Sequence, residues 1–335
     1  MQAASGGGRK KWLMVRSVGP ALYAILQRSR IGVAKCCAAM QVRATLLLKA
    51  RIMTAALYRS ILYIPGSKSR ALDKARSLDV DGIIFDLEDA VAPDEKAEAR
   101  ITLAGELDAG GYGHRYRIVR INGLDTDWGE DDARAVAEMP CDAVLVPKVE
   151  STGQIDAVVA LCPDRPVWCM METPRAAINA MAIADHPAVE GFVLGTNDLA
   201  KDIGCETGGD RAPMQTAIQL CVLAARAAGI ACVDGVYNAF RDIEGLAVEC
   251  KQGRAWGMDG KSLIHPLQVD AANTTFAPAE DEVALARRQI AAFDEAAARG
   301  EGVAVVDGKI VENLHIETAR KTLAKAEAIR AREGV

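Results

Sequence analysis

The sequence predicts a (β/α)8 (TIM) barrel with a C-terminal helical and hairpin extension, and three observations carry that prediction. From Arg59 onward, short apolar runs alternate with longer segments of helical spacing, divided by Gly, Pro or polar residues, as successive βα units on a parallel sheet require. Eight such runs fall between Tyr58 and Asp270, which fits the lower end of the ~200–250 residues of a closed barrel better than a doubly wound open sheet. The composition of the 335 residues, 50% hydrophobic and 25% charged with 4% aromatic, belongs to a globular protein and excludes a disordered chain, a collagen or a small disulfide scaffold.

In order, the expected strands are Ser60–Ile64, Gly82–Asp86, Arg117–Ile121, Ala143–Val146, Val167–Met171, Gly191–Leu194, Ile230–Val233 and Ala255–Gly257. Helices are signalled between them. Pro174 directly after Thr173 reads as a first helical residue behind an N-cap, and Ile218, Val222 and Ala225 keep one face of a helix that Gly229 stops. After the eighth unit the pattern changes. Pro278 opens an Ala-rich charged helix to about Arg299, and Val303–Val306 and Lys309–Val311 flank Asp307-Gly308 as a hairpin. A last helix runs from about His315.

Residues 1–52 hold ten basic residues and no Asp or Glu. That leaves 30 of the 40 Lys and Arg against all 45 Asp and Glu in residues 53–335, a net charge of −15. An acidic body argues against general nucleic-acid binding. The leader, with Gly6-Gly7-Gly8 and few serines, reads as translated upstream sequence ahead of a start at Met53, with an organelle transit peptide as the alternative. The first reading places the protein in the cytoplasm, the second in the mitochondrial matrix. The expected division is therefore a leader over 1–52, a barrel over 53–272 and an extension over 273–335. No charge-free run of eighteen or more apolar residues occurs, so no membrane-spanning helix is expected. The nine cysteines form no C-x-x-C pair, and several lie in apolar segments, which suits buried free thiols.

In such a barrel the working residues stand at the carboxyl ends of the strands. Reading past each expected strand gives Pro65-Gly66-Ser67, Asp86-Leu87-Glu88-Asp89, Arg120 and Asn122, Lys148 and Glu150, Glu172, Asn197 and Asp198, Asp234, and finally Asp259, Lys261 and His265. Four or more carboxylates at one mouth repel each other unless a cation or fixed basic groups neutralise them. With Cys and His missing from most of these positions, the ligands are hard oxygens, which suit Mg2+ or Mn2+ rather than zinc. The competing structural readings are that Asp198 caps a helix, that Glu88 pairs with Lys96, and that Arg120 pairs with Asp86 or Glu88.

Six motifs in order carry a resemblance. Arg59-Ser60 with Pro65-Gly66, Asp86-Leu87-Glu88-Asp89-Ala90-Val91 with Lys96 and Arg100, Arg120-Ile121-Asn122, Pro147-Lys148-Val149-Glu150, Met171-Glu172-Thr173 and Gly195-Thr196-Asn197-Asp198-Leu199 are similar to the citrate lyase beta-chain-like family of the HpcH/HpaI aldolase superfamily. That family includes the malyl-coenzyme A and citramalyl-coenzyme A lyases. The resemblance runs from about Arg59 to Gln268 and closes on Gly260-Lys261-Ser262-Leu263-Ile264-His265-Pro266.

The resemblance implies a Mg2+-dependent carbon–carbon lyase that releases acetyl-coenzyme A or a related acyl product and a 2-keto acid from a hydroxyacyl-coenzyme A. Carried over residue by residue, Glu172 and Asp198 would hold the metal, and Arg120 would hold the substrate carboxylate and the developing alkoxide. Pro65, Gly66 and Lys68 would lie on the substrate side, with Arg59, Arg70 and Lys74 as further contacts to coenzyme A phosphates. The proton at the thioester α-carbon is handled in that family by an Asp from a neighbouring subunit's tail, where this chain has Glu312, so a trimer or hexamer is expected. The alternatives are a malyl-coenzyme A thioesterase on the same site, a citrate lyase beta chain working on a carrier-protein thioester, a free 2-keto acid aldolase, and a non-catalytic barrel subunit.

Overall fold

The computed structural model describes residues 57–206 and 209–333, so the expectations for the leader over 1–52 lie outside the described residues. Eight parallel strands, β1 (Ser60–Pro65), β2 (Gly82–Asp86), β3 (Tyr116–Arg120), β4 (Ala143–Val146), β5 (Val167–Met171), β6 (Val189–Leu194), β7 (Ala231–Asp234) and β8 (Gly260–Leu263), pair in chain order and close β1 onto β8. Around them run α1 (Ser69–Ala75), α2 (Lys96–Ala109), α3 (Gly129–Glu138), α4 (Thr152–Leu161), α5 (Pro174–Ile178), α6 (Ala180–Ala184), α7 (Thr196–Ile203), α8 (Gln215–Ala228), α9 (Ile243–Ala255) and α10 (Val269–Phe276). The predicted barrel is the observed one. Among the described residues no helix is long and apolar enough to cross a membrane.

The inward positions of the strands fill the barrel. Ile61, Ile84, Ile118, Leu145, Val193 and Val233 form its middle, and Tyr58, Tyr116 and Trp168 close its amino-terminal floor with edge-on rings 5.1 and 5.7 Å from Tyr58. Trp168 fits because Gly191 stands opposite, where a Cβ would come within 2.7 Å of the indole. The second, larger core lies between strands and helices. There Asp234 pairs with Arg211 at 2.7 Å and Lys261 at 3.1 Å, and Lys261 reaches Glu249 of α9 at 2.7 Å.

One expected strand is misplaced. Ala255 ends α9, and Gly257 turns the chain at a φ of +94°, so Ala255–Gly257 is not a strand. The strand is Gly260–Leu263, which the polar Lys261 and Ser262 disguise, because their partners are supplied by β7 and α9 in three dimensions. The other signals hold: Thr173 caps α5 by accepting from the Ala176 N–H, and Gly229 ends α8 at a φ of +68°. All seven cysteines among the described residues are free thiols.

Beyond α10 the chain leaves the barrel as α11 (Glu280–Ala298), the hairpin β9 (Ala304–Val306) with β10 (Lys309–Val311), and α12 (Asn313–Glu333). Asp307 and Gly308 both take positive φ, 50° and 74°, as a two-residue hairpin turn requires. This arm is rooted at the amino-terminal end of the barrel, opposite the mouth. Glu282 pairs with Arg254 at 2.6 Å, and Arg332 holds Asp79 at 2.8 Å and also Asp81, both just before β2. The far end of the arm has a small core of its own, built on Ala296, Ala304, Val311 and Ile316.

Candidate active site at the barrel mouth

Glu172 follows β5 and points to the barrel axis, 3% exposed. Its neighbours are shaped to receive it. Lys148, after β4, adopts a left-handed φ of +48° and so donates its backbone N–H to Glu172 Oε1 at 2.8 Å. Gly195, after β6, has no Cβ, and one there would stand 2.3 Å from the Glu172 Cβ and 2.6 Å from Oε2. Burial pushes the Glu172 carboxyl up to about 7, against the pull of the Lys148 amide and Arg120, while the charge of Asp198 adds to the rise. Asp198 is half-buried in the first turn of α7 and makes no capping hydrogen bond with its side chain, so the helix-cap reading of it fails.

Arg120 ends β3 and is 6% exposed. Nε and Nη2 both donate at 2.7 Å to the Asp86 carboxylate, which also accepts the N–H groups of Glu88 and Ala90 at 2.9 and 3.0 Å. The Nε–Nη2 edge is thus committed. On the remaining end, Nη1 lies 2.8 Å from Glu88 and 3.4 Å from Asp89, and the Tyr63 ring stacks 4.9 Å from the guanidinium carbon. Burial works against the charge of Arg120, and Asp86 overcomes it, holding the guanidinium well above its ordinary pKa. The ion-pair reading of Arg120 therefore holds, with Asp86 on one edge and Glu88 and Asp89 at Nη1. Glu88 is likewise pushed by burial up to about 7, with Arg120 opposing and Asp89, Glu172 and Asp86 adding.

Other expected site residues stand elsewhere. Arg59 precedes β1, so it lies at the amino-terminal end, 3% exposed and bound to Asp81 at 3.0 Å; it is not placed to meet a ligand at the mouth. Asp259 also sits before its strand, paired with Arg226 at 2.8 Å. Lys96 does not pair with the Glu88 carboxylate. Its ammonium donates instead to the Leu87 and Glu88 carbonyls and to Asn122 Oδ1 at 3.1, 2.9 and 2.7 Å, so Lys96 and Asn122 shape the β2 loop from behind. Pro65 and Gly66 do border the mouth, and Gly66 packs against Asp86 and Leu87, donating its N–H to the Asp86 carbonyl at 2.8 Å. Lys68 is exposed and 3.4 Å from Glu95, with Arg70 and Lys74 exposed on α1. Glu312 lies exposed on the arm, and among the described residues no hydrogen bond or ion pair joins it to the mouth.

The sequence reading missed Tyr63, the aromatic floor under Arg120, and the backbone roles of Lys148 and Gly195. Only the first had a signal, an inward position on β1 two residues after Ile61.

The donor set suits a hard divalent cation. Asp86, Glu88 and Glu172 surround one buried guanidinium, and Asp198 acts on Glu172; the two candidate ligands, Glu172 and Asp198, both offer carboxylate oxygens. Among the described residues no group of three or more His, Cys, Asp or Glu side chains is arranged to hold a metal. Two carboxylates with water and substrate completing the shell is the way Mg2+ is usually held.

Comparison with known proteins bears on the same mouth. The HpcH/HpaI aldolase/citrate lyase family matches residues 59–266. A (3S)-malyl-CoA thioesterase of Cereibacter sphaeroides is 61% identical over 274 residues, covering 82% of this chain and 96% of the relative. An L-malyl-CoA/beta-methylmalyl-CoA lyase of the same species is 34% identical over 304 residues, covering 82% and 96%. Among solved structures, the protein CitE of Mycobacterium tuberculosis, in complex with magnesium, acetoacetate and coenzyme A, superposes with a TM-score of 0.70 at 30% identity, covering 82% of this chain and 99% of that one.

Proposed function

Because the chain belongs to the HpcH/HpaI aldolase/citrate lyase family, we propose that its mouth takes malyl-coenzyme A and hydrolyses the thioester to malate and free coenzyme A. The observation that carries this reading is the 61% identity to a malyl-CoA thioesterase along almost its whole length, against 34% to a lyase. It moves the reaction from the carbon–carbon cleavage that the sequence motifs imply to the hydrolysis that stood as their alternative.

Glu172 and Asp198 would hold Mg2+, which supplies Lewis-acid charge to substrate oxygens when bound. Arg120 supplies a guanidinium already oriented by Asp86 and Tyr63, and its Nη1, shared with Glu88 and Asp89, is the end that would meet negative charge developing on a substrate oxygen. Lys148 and Gly195 fix Glu172 from both sides. The exposed cationic side chains of Lys68, Arg70 and Lys74 would meet the phosphates of coenzyme A, Lys68 by exchanging its surface pair with Glu95.

A second reading, cleavage to acetyl-coenzyme A and glyoxylate, is favoured by the arm. Its tip exposes Val305, Ile310 and Leu314 at 66, 63 and 60%, an apolar surface suited to a second copy of the chain, which would carry Glu312 toward a neighbour's substrate. The test is an assay of the purified protein on malyl-coenzyme A with Mg2+ and with a chelator, reading free thiol, malate and glyoxylate separately. Mg2+-dependent thiol and malate in equal amounts support hydrolysis; glyoxylate without malate rejects it in favour of the lyase.

A further inference from the structure

Hydrolysis needs a group that removes a proton from water, and the mouth holds several carboxylates of which most are committed. Asp86 spends its oxygens on two guanidinium N–H and two backbone N–H groups. Asp234 is fully buried between Arg211 and Lys261. Glu150 accepts from Thr173 Oγ1 at 2.8 Å, and the His265 ring stacks on Phe240 at 4.5 Å while Nδ1 accepts the Leu267 N–H. Asp89, 70% exposed, is solvated.

Glu88 differs from all of these. Its Oε2 is buried and takes no aligned hydrogen bond, yet it lies 2.8 Å from Arg120 Nη1, at the edge of the guanidinium that Asp86 leaves open. Nη1 is shared by Glu88 and the solvated Asp89, so a thioester oxygen that took Nη1 from them would be brought next to the Glu88 carboxylate. The geometry points to Glu88 as the group that takes a proton from the attacking water and returns it to the departing sulfur. The inference rests on the hydrolytic reading above.

In that step the water oxygen bonds to the thioester carbonyl carbon as its proton passes to Glu88. The carbonyl electron pair moves onto the oxygen held by Arg120. When the pair returns, the carbon–sulfur bond breaks, and Glu88 gives its proton to the coenzyme A thiolate, so the carboxylate is regenerated. A base near neutrality is best matched to this work, and burial, with Asp89, Glu172 and Asp86 adding to it and Arg120 opposing, holds the Glu88 carboxyl at about 7.

The test compares Glu88→Gln and Glu88→Ala with the wild-type chain on malyl-coenzyme A, with Mg2+ affinity by calorimetry and folding by thermal unfolding. The expected result is a kcat for hydrolysis lower by about 100-fold or more in both variants, with KM and Mg2+ affinity within about threefold of wild type. Added formate should restore a measurable part of the Glu88→Ala rate, as a merely structural side chain would not allow. Retention of kcat within threefold in Glu88→Gln, a loss confined to KM or Mg2+ affinity, or no rescue by formate would overturn the assignment. A wild-type chain that releases no malate would instead overturn the hydrolytic reading itself, and Glu88 with it.

Discussion

Glu172 depends on two neighbours that carry no acid of their own. The Lys148 amide reaches it only because that residue accepts a left-handed backbone, a conformation costing roughly 1–3 kcal/mol in a non-glycine residue, and Gly195 vacates the space that the carboxylate fills. Gly195→Ala should therefore displace Glu172, lower stability by about 1–3 kcal/mol and weaken Mg2+ binding at least tenfold, as denaturant titration and calorimetry would show. At this scale the sequence was legible where chemistry follows position. Glu172, Asp198 and Arg120 each stand at a strand's carboxyl end, as read. Arg59 was misread because a motif shows that a residue is present but not which end of the strand it occupies. The pairing of Glu88 with Arg120 was open in the sequence as one alternative among others; the left-handed Lys148 had no sequence signal at all.

Among the elements, the strands that alternate or run apolar were legible, and the one that does not was lost. Gly260–Leu263 carries a lysine whose charge is satisfied 26 or more positions away in sequence for two of its contacts, Asp234 and Gly235, and such partners are invisible to local pattern. The hairpin was legible because Asp-Gly demands one turn type. The last helix, α12, was legible as a helix, but its seat on the amino-terminal end of the barrel was not. That seat leaves a mark in Lys325: burial, with Arg254, Arg59 and Arg226 nearby and Asp259 and Glu282 opposing, lowers its pKa from 10.5 to about 8. The folded state disfavours the proton, so stability should rise with pH from about 8 to 10.5. Lys325→Met should raise the unfolding midpoint at pH 7 by about 2–4 °C and flatten that rise, which calorimetric scans across pH would detect.

At the largest scale, the described residues form an acidic barrel with an arm whose distal core is self-contained and whose tip is apolar. Val305 and Ile310 are cross-strand partners on β9 and β10, so both present one exposed face. If that face meets a second copy, light scattering should report an oligomer for the wild-type chain and a smaller species for the double variant Val305→Lys and Ile310→Lys. An unchanged mass would remove the arm tip from the interface.

If this mouth adds water to a malyl thioester with Glu172 and Asp198 holding Mg2+, turnover of malyl-coenzyme A in 18O-labelled water, with products read by mass spectrometry, will trace that water into the product. Hydrolysis gives malate carrying one heavy oxygen in the carboxylate that was the thioester carbonyl, formed with Mg2+ and lost with a chelator or in Glu172→Gln. Acetyl-coenzyme A and glyoxylate without labelled malate would contradict it.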